Sequence, residues 1–378
     1  MVYTWHATEI LTGRIIGDLP DLAIGTVKRT LMKYDSAQGT LPGPTAPENW
    51  ERILLPKASC LHLVDGNVPV WGGMTLDAER TSDDELPVSV ATIEAYFADR
   101  YVGDETYTQV GQNLIVKDLV EKYAARGRNG GIPIRVVVLD GPGKLRNRTY
   151  TDQAGKTLYS ALRELSGVIG GPEWTVEWEW LHDPERIVPV LYVGTRVGKA
   201  PAPGLDVAAT FEMPGSVQSV SVLDTYKSGS GANDVMAYST ATGDEQPQSQ
   251  HVVTKDPERP TIEYRWSPSS SITDTNTLDD HATAKAHEMA GGARVISLTS
   301  TVAGAPRLGL DWSIGDDVGY VVGGTVDDGS RVYESVPAFP GGIRGTARAI
   351  GWELTLTGVE TVVPVLQNGE QLGDSDAG

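Results

Sequence analysis

The stretch Leu63-Val-Asp-Gly-Asn-Val-Pro-Val-Trp-Gly-Gly-Met-Thr-Leu76 predicts a β-hairpin. An Asp-Gly pair between two apolar runs is a strong signal for a tight turn that joins antiparallel strands. The strand before the turn begins at Ala58, and the returning strand covers residues 68–76. The adjacent Gly72 and Gly73 in the returning strand would permit a bulge or a close approach of another backbone.

Further strands are predicted on both sides of this hairpin. Runs rich in apolar and β-branched residues predict strands at residues 12–20, 25–32 and 86–93. Residues 38–49 contain several prolines and predict a loop, because proline cannot donate a ladder hydrogen bond. Residues 1–102 are therefore predicted to form a first β domain.

The pattern changes near residue 103. Residues 113–125 carry apolar side chains at helical spacing and run into a glycine-rich stop signal, and residues 157–165 form a second amphipathic helix that Gly167 is placed to end. Predicted strands lie at residues 134–139, 174–180 and 188–193. The block 103–200 is therefore predicted to be a small α/β insertion.

A β pattern returns after residue 200. Predicted strands lie at residues 217–222, 234–238, 294–302, 314–322 and 345–356. Residues 278–289 predict a helix with Asp274 or Thr275 near its N-cap, and the polar residues 241–258 predict a loop.

These signals divide the second half of the chain in the same way as the first. Residues 201–252 and 303–365 are predicted to form a second β domain. Residues 253–302 form a helix-containing insertion, and residues 366–378 form a flexible polar tail.

Composition supports a β-rich chain of several modules. The 378 residues exceed the roughly 100–200 residues of one domain, and 43 Gly and 23 Pro against 3 Phe favour short strands joined by turns. The formal net charge of −19 opposes binding to nucleic acid and to anionic lipid. A single cysteine, Cys60, excludes an internal disulfide, and we expect neither a signal peptide nor stable membrane insertion.

Two groups of residues could carry nucleophilic or metal chemistry. Cys60 and His62 lie two apart on a predicted strand and face the same side. A thiol beside an imidazole can form a nucleophile pair. We favour a buried thiol beside a tolerated histidine, because catalytic Cys and His are rarely adjacent in sequence. His281 and His287 lie six apart on a predicted helix, unlike the i, i+4 pairs that bind metal.

A short Gly-Pro-Gly-Lys segment, residues 141–144, has some likeness to a phosphate-binding loop. It lacks the required spacing, and Pro142 has no N–H, so a turn is predicted. Lys144, Arg146 and Arg148 are predicted to lie on an exposed loop. Contact with phosphate or with an acidic neighbouring protein is the alternative for these three residues.

Adjacent aspartates occur as Asp83 and Asp84, Asp279 and Asp280, and Asp316 and Asp317. The two carboxylates of a glycosidase must face each other across a cleft, which adjacency in sequence does not establish. We interpret Asp316 and Asp317 as capping the turn into their strand. The sequence assigns no catalytic, cofactor-binding or metal-binding residue, and no cofactor is expected.

Three tryptophans, Trp174, Trp178 and Trp180, share one face of an alternating strand. Such a row could stack on sugar rings. Large aromatic side chains also dominate protein cores and subunit contacts. We favour a core or subunit contact.

Three stretches together carry a resemblance to a known family: residues 63–76, residues 150–165, and residues 312–318 with 348–356. The pattern resembles minor tail proteins of siphophages that infect high-GC hosts. Those proteins are similar to the tail-hub (baseplate hub) family of long-tailed phages and to the hub part of type VI secretion spikes. The resemblance covers roughly residues 5–365, and the order of elements carries it more than any one motif.

The resemblance implies a β-rich α+β fold with two β-barrel-like tail-hub domains and two small α/β insertions. In that family, three subunits place six hub domains around a lumen that matches the sixfold tail tube. The implied partners are two further copies in a homotrimer, a distal tail protein or tail-tube ring, the tape-measure protein, and central fibre or spike proteins. DNA is expected to pass without specific binding.

The expected function is that of a structural, non-enzymatic protein of the virion tail tip, assembled in the host cytoplasm. It would close the tail tube and link it to the spike or fibre for host attachment and genome ejection. A carbohydrate- or receptor-binding tail module with an exposed tryptophan platform is the first alternative. A cell-wall hydrolase with a carboxylate pair is the second.

Overall fold

The computed structural model is built mainly of β-strands, which confirms the predicted β-rich fold. It describes residues 3–80, 82, 84–167, 170–201, 207–239, 246–268, 275–323, 325–326, 331–332, 336, 338–339 and 342–367. The chain divides into two compact units. The first unit comprises Met1–Ser219 and Leu298–Gln367, and the second includes Val220–Ser297.

The N-terminal part of the first unit forms a seven-stranded antiparallel sheet. The elements of this part of the chain are β1 (Tyr3–Glu9), β2 (Ile15–Asp18), β3 (Ala23–Ile24), β4 (Thr26–Thr30), β5 (Ser36–Pro42), α1 (Trp50–Ile53), β6 (Ser59–Asp65), β7 (Val68–Ala78) and β8 (Glu85–Thr92), and all these strands except β4 belong to the sheet. The strand order is β2-β1-β6-β7-β8-β5-β3. The predicted hairpin is β6–β7, in which Asp65 pairs with Val68. A 3-10 helix, Ile93–Asp99, follows β8.

The loop predicted at residues 38–49 is wrong in its first part. Strand β5 continues to Pro42, which lies opposite Glu85 of β8. Proline is tolerated there because it is the last residue of the strand, where its missing N–H interrupts no further ladder bond. The N–H of Gly43 then donates to the carbonyl oxygen of Asp84 at 2.6 Å.

The insertion contains two helices and two small sheets. Its elements are β9 (Glu105–Gly111), α2 (Gln112–Tyr123), β10 (Arg135–Val138), β11 (Leu145–Tyr150), α3 (Leu158–Ser166), β12 (Glu173–His182) and β13 (Glu185–Gly194). One sheet has the order β10-β13-β12 and the other pairs β9 with β11. Both predicted helices and all three predicted strands are confirmed. The exposed loop predicted for Arg146 and Arg148 is wrong, because both lie on β11, which pairs with the unpredicted strand β9.

The remaining elements belong to the second half of the chain. They are β14 (Thr210–Met213), β15 (Val217–Thr225), β16 (Asp234–Ala237), β17 (Val252–Val253), β18 (Glu263–Trp266), α4 (Thr275–Met289), β19 (Ala293–Thr301), β20 (Asp317–Val322), β21 (Thr325–Val326), β22 (Arg331–Val332), β23 (Ile343–Thr355) and β24 (Thr361–Gln367). A second seven-stranded sheet has the order β14-β20-β23-β24-β19-β15, with β4 also paired to β23. The strands predicted in this sheet are confirmed, whereas β14 and β24 were not predicted.

Strands β3 and β4 form one extended segment that belongs to both large sheets. Ala23 and Ile24 pair with β5 in the first sheet. After Gly25, the residues of β4 pair with Gly351–Thr355 of β23 in the second sheet. Main-chain hydrogen bonds run from β3 to the first sheet and from β4 to the second sheet. This short segment therefore couples the two sheets directly.

The insertion shares a hydrophobic core with the first sheet. Cys60, Met74 and Phe97 from the first part of the chain pack in one buried cluster with Leu119 of α2 and Leu162 of α3. Each helix buries one apolar face, as its spacing predicts. Burial at about 25 cal/mol per Å² of apolar surface therefore stabilises the sheet and the insertion together.

The second unit has a small core of its own. The sheet β17-β16-β18 packs against α4, and Val235, Ala286 and Met289 are buried between them. The predicted helix is confirmed and begins three residues earlier than expected, whereas β17 and β18 were not predicted. Asp274, residues 241–245 of the predicted loop and residues 368–378 of the predicted tail lie outside the described residues.

Candidate functional site: a charged seam along strand β12

Strand β12 carries different chemistry on its two faces. Its sequence, Glu173-Trp-Thr-Val-Glu-Trp-Glu-Trp180, alternates polar and large apolar residues, and alternate residues of a strand point to opposite faces. The strand lies at the edge of its three-stranded sheet, where it meets β7. Both faces are in contact with other parts of the first unit.

The tryptophan face of β12 belongs to the core. Trp174 has no exposed surface, and its ring centroid lies 6.2 Å from that of Phe97 and 6.3 Å from that of Tyr159. Trp178 packs edge-on against His62 with 4.4 Å between ring centroids. The predicted packing role is confirmed. The alternative of an exposed sugar-binding platform of all three rings is wrong, because the core covers Trp174 and Trp178.

Two glycines in β7 allow β12 to approach. A Cβ atom at Gly72 would lie 2.5 Å from Nε1 of Trp178 and 2.6 Å from Nδ1 of His62. The same indole N–H donates to the carbonyl oxygen of Gly72 at 3.3 Å. A Cβ atom at Gly73 would lie 2.9 Å from the carbonyl oxygen of Ala91. The close approach predicted for this glycine pair is therefore confirmed.

The polar face of β12 meets a buried arginine. Arg29 of β4 is 4% exposed, and its guanidinium lies 2.7 Å from the carboxylate of Glu177 and 3.7 Å from that of Glu94. It also donates to Oγ1 of Thr175 at 2.9 Å and to the carbonyl oxygen of Val176. A buried charge is tolerated only when it is paired and hydrogen-bonded, and Arg29 meets both conditions.

Burial and pairing act in opposite directions on the charges around Arg29. Burial alone would lower the pKa of Arg29, but Glu177 and Glu94 outweigh it, so the pKa is raised and the guanidinium stays charged. For Glu94, burial raises the pKa and outweighs the opposing effect of Arg29. Glu177 is therefore the principal counter-ion of Arg29, in agreement with its shorter distance.

The first residue of β12 binds an arginine of the second sheet. Arg348 of β23 donates to Oε1 of Glu173 at 2.7 Å and to the carbonyl oxygen of Gly315 at 3.0 Å. Close by, Arg196 donates to Oδ1 of Asp317, the first residue of β20, at 2.5 Å. These bonds join the insertion to β20 and β23.

A third arginine pairs with β12 at the surface. Arg135 of β10 lies 2.6 Å from Glu179, and both side chains are largely exposed. We call Glu173, Glu177 and Glu179 with their partners Arg348, Arg29 and Arg135 the β12 seam. The seam fastens one strand of the insertion to β4, β10 and β23. Its chemistry is that of a structural joint, since guanidinium–carboxylate pairs hold elements in register without a nucleophile.

Cys60 and His62 lie inside the core. Burial raises the pKa of the Cys60 thiol, which favours the unreactive thiol form. His62 has no exposed surface, and its Nε2 bonds Oγ1 of Thr8 at 2.8 Å. The favoured interpretation of a buried thiol beside a tolerated histidine is confirmed.

Acid is expected to destabilise the fold through His62. Burial, and to a smaller extent His6, lowers the pKa of His62 from 6.5 to about 3. Between these two values the unfolded chain binds a proton that the folded chain does not bind. The neutral His62 therefore makes its full contribution to the free energy of unfolding above about pH 6.5. This contribution decreases as the pH falls, by about 2 kcal/mol at about pH 5.

Urea unfolding at about pH 7 and about pH 5 measures this effect. The variant His62→Gln is expected to lose about 2 kcal/mol less than the wild-type protein over this interval. His182→Gln serves as a matched control, because His182 is an exposed histidine at the end of β12. Identical pH dependence in wild-type protein and His62→Gln would contradict the assignment.

The adjacent aspartates at the start of β20 are structural. Asp316 accepts hydrogen bonds from the N–H groups of Ser313 at 2.9 Å and of Lys199 at 2.6 Å. Asp317 pairs with Arg196. The predicted capping of this turn is confirmed. Of the other pairs, Asp279 accepts the N–H of Gln250 at 2.6 Å, Asp280 is exposed, and Asp83 lies outside the described residues.

The histidines of α4 occupy different surroundings. His281 packs edge-on against Trp266 with 5.8 Å between ring centroids, whereas His287 is exposed. Within the described ranges, no group of three or more His, Cys, Asp or Glu side chains is placed to hold a metal ion. None of the helices in those ranges combines the length and the apolar character needed to cross a membrane.

The Gly-Pro-Gly-Lys segment, residues 141–144, is a turn, as predicted. Gly141 and Gly143 adopt φ values of 85° and 72°, which favour glycine. Two carbonyl oxygens of the segment accept the N–H groups of Gln112 and Asn113 at the start of α2. A phosphate loop presents N–H donors to its ligand, whereas this turn presents carbonyl oxygens to a helix.

Sequence reasoning missed the residue at the centre of the seam. In β4, the side chains of Val27 and Arg29 are buried, as is Leu31 just beyond the strand, whereas Thr26 and Lys28 are exposed. This strict alternation places Arg29 on the buried face and could have identified it. An inward-facing arginine requires a carboxylate partner, but the pattern does not say which one.

Neither a family model nor a curated protein matches this sequence. Solved structures of phage tail proteins do match its fold. The 43 kDa tail protein of prophage MuSo2 from Shewanella oneidensis superposes with a TM-score of 0.61 and 12% identity, over 97% of this chain and 98% of that chain. The tail protein from Neisseria meningitidis MC58 gives a TM-score of 0.60 and 14% identity, over 97% of each chain.

A third tail protein shows the same similarity. Prophage tail protein gp18 from Listeria monocytogenes EGD-e superposes with a TM-score of 0.52 and 8% identity, over 97% of this chain and 95% of that chain. The chain therefore has the fold of phage tail proteins over nearly its whole length. The resemblance inferred from three stretches of sequence is confirmed at the level of the fold.

Proposed function

We propose that this chain is the tail-hub protein of a long-tailed phage of the siphophage type. Three copies would form a homotrimer at the distal end of the tail, after assembly in the host cytoplasm. The trimer would close the tail tube and link it to the spike or fibre for host attachment and genome ejection. The observation that carries the proposal is the superposition on two phage tail proteins, which covers 97% of this chain and 97% or more of each of theirs.

The sheet architecture supports two hub domains in each subunit. We assign residues 1–102 to the first domain and residues 201–252 with 303–365 to the second. The first domain would contribute the first seven-stranded sheet to the wall of a lumen. The second domain would contribute most strands of the second sheet, which β4 and β19 complete. Three subunits would then supply six wall segments, which matches the sixfold symmetry expected of a tail tube.

The joints between the parts suit a protein that bears mechanical load. The shared β3–β4 segment links the two sheets through main-chain hydrogen bonds. The β12 seam adds a buried, fully paired arginine between β4, which pairs with the second sheet, and the insertion at residues 103–200. A rigid joint of this kind would let a force applied at one end reach the other.

The proposed position requires partners above and below the trimer. A distal tail protein or tail-tube ring would bind above, and central fibre or spike proteins would bind below. The tape-measure protein would end in the lumen until ejection. We assign the lower contacts to the insertions at residues 103–200 and 253–302.

The charge of the chain supports passage of DNA without binding. A trimer would carry 3 × −19 = −57 formal charges. Such a charge repels the phosphate backbone, so DNA would slide without adhering. Tight, salt-sensitive binding of duplex DNA by the purified protein would count against the proposal.

Mass photometry of the purified protein tests the proposed oligomer. The chain mass of 40.4 kDa predicts particles of 3 × 40.4 = 121.2 kDa. Neither a glycan-binding module nor a cell-wall hydrolase requires threefold symmetry, so this mass would favour the hub. Particles of 40.4 kDa alone would contradict a trimer that is stable in solution.

A further inference from the structure

Three exposed leucines surround one loop of the insertion. Leu114 lies in the first turn of α2, Leu139 directly follows β10, and Leu145 begins β11. Their exposed fractions are 43%, 46% and 58%, respectively. The loop at residues 140–144 folds over the start of α2, where Asn113 donates its N–H to a loop carbonyl at 3.0 Å. The N–H of Gln112 also donates to the carbonyl oxygen of Lys144 at 2.9 Å, so two hydrogen bonds hold the loop against the start of α2.

Basic residues adjoin these leucines. Lys144 is exposed, and the pKa of Arg146 is lowered by burial and by the nearby charge of Arg148. In the part of the chain that the structure describes, neither Lys144 nor Arg148 lies within ion-pair distance of a carboxylate. The carboxylate of Asp140 accepts from the neutral donors Asn113 Nδ2 and Thr195 N.

We call Leu114, Leu139 and Leu145 with Lys144, Arg146 and Arg148 the basic leucine patch. Apolar side chains grouped on a surface and bordered by charge are typical of an interaction site. Most other cations of the seam and of the sheets pair with carboxylates of the same chain. The positive charges of Lys144 and Arg148 are therefore the ones that remain available to a partner.

We propose that the basic leucine patch is a surface through which one copy of this chain binds the next copy. The chain has 50 acidic and 31 basic residues, so a second copy presents a mainly acidic surface that complements the patch. Burial of the leucines would supply binding free energy in proportion to the apolar area removed from water. The cations would steer and orient the approach.

Charge determines the symmetry of this contact. An isologous dimer places a patch against the same patch of its partner, which would bring Lys144 and Arg148 of the two copies together. The patch must therefore meet a different, acidic surface of its neighbour. A head-to-tail contact of this kind closes into a ring when the rotation permits it. This inference rests on the proposed trimer and names the surface that each subunit contributes.

Sedimentation velocity of the full chain and two patch variants tests the inference. The variant Lys144→Glu with Arg148→Glu reverses two charges of the patch. The variant Leu114→Ser with Leu145→Ser removes two of its apolar side chains and leaves the charges in place. Unfolding midpoints in urea, compared with the wild-type value, show that each variant is folded.

A charge-matched variant controls for the change in net charge. Lys227 and Lys255 are exposed residues of the second unit, away from the insertion in sequence. The variant Lys227→Glu with Lys255→Glu makes the same change in net charge as the reversed patch. Any general increase in repulsion between copies will affect this control equally.

The proposal predicts that both patch variants raise the dissociation constant of the oligomer at least about ten-fold, and that the control does not. A patch variant that associates like the control would overturn the proposal, even if the trimer itself forms. A wild-type chain that stays monomeric would also overturn it. Locating the protein in the virion separates that outcome from failure of the proposed function.

Discussion

Replacing Arg29 with methionine is expected to destabilise the fold by about 3–5 kcal/mol. The variant removes the only charged partner found for the buried carboxylate of Glu94 among the described residues, and the closest partner of Glu177. It also takes hydrogen bonds from Thr175 and Val176. The cost is large because an uncompensated buried charge and unsatisfied polar groups remain.

Equilibrium unfolding in urea measures this loss. The control is Arg135→Met, because Arg135 pairs with Glu179 on the same strand β12 but at the surface. An exposed pair contributes little, so the control is expected to lose less than about 1 kcal/mol. Equal losses in the two variants would show that the buried part of the β12 seam does not stabilise the fold.

A double variant separates the two causes of the Arg29 effect. Arg29→Met combined with Glu94→Gln removes the uncompensated carboxylate and keeps a similar shape. Because a neutral amide needs no counter-ion, the double variant is expected to be more stable than Arg29→Met alone. A double variant less stable than Arg29→Met would assign the loss to packing.

Replacing Trp174 with alanine is expected to cost about 3–5 kcal/mol. The indole has no exposed surface and contacts the rings of Phe97 and Tyr159, so its removal leaves a cavity where the insertion meets the first part of the chain. The surrounding core relaxes only partly around such a cavity, and the residual volume adds to the lost burial.

The matched control for Trp174 lies on the same face of β12. Trp180 is only partly buried, and its ring contacts those of His6 and His182. Trp180→Ala should therefore cost clearly less than Trp174→Ala in the same urea experiment. A variant Trp174→Ala with wild-type stability would contradict the assignment of Trp174 to the core and would favour the sugar-binding alternative.

Local signals in the sequence predict the parts of the fold that depend on neighbouring residues. The hairpin β6–β7 follows from an Asp-Gly turn between two apolar runs. Helices α2 and α3 follow from the spacing of their apolar residues. In both cases the decisive interactions lie within a few residues of each other.

The pairing of β4 could not be predicted in the same way. Its partner in the second sheet, Gly351–Thr355, lies more than three hundred positions away along the chain. Neither periodicity nor turn chemistry specifies which distant strand completes a ladder. The prediction of a loop at residues 38–49 failed for a related reason, because a terminal proline does not prevent pairing by the residues before it.

The candidate site shows the same division between local and distant information. The alternation in β12 predicts that Trp174 and Trp178 share one face and that Glu173 and Glu177 share the other. It does not reveal that the acidic face would also be covered, by Arg29 from one sheet and by arginines from other strands. The sequence around a residue does not indicate which distant residue will pair with it in the folded state.

Cryo-electron microscopy of the tail tip, in the phage that carries this chain, tests the central claim most directly. The account predicts three copies related by a threefold axis at the distal end of the tail tube, with two sheets from each copy around the lumen. It also predicts that the basic leucine patch contacts a neighbouring copy. Density for this chain along the length of the tube, or on peripheral fibres without threefold symmetry, would contradict the assignment as a tail hub.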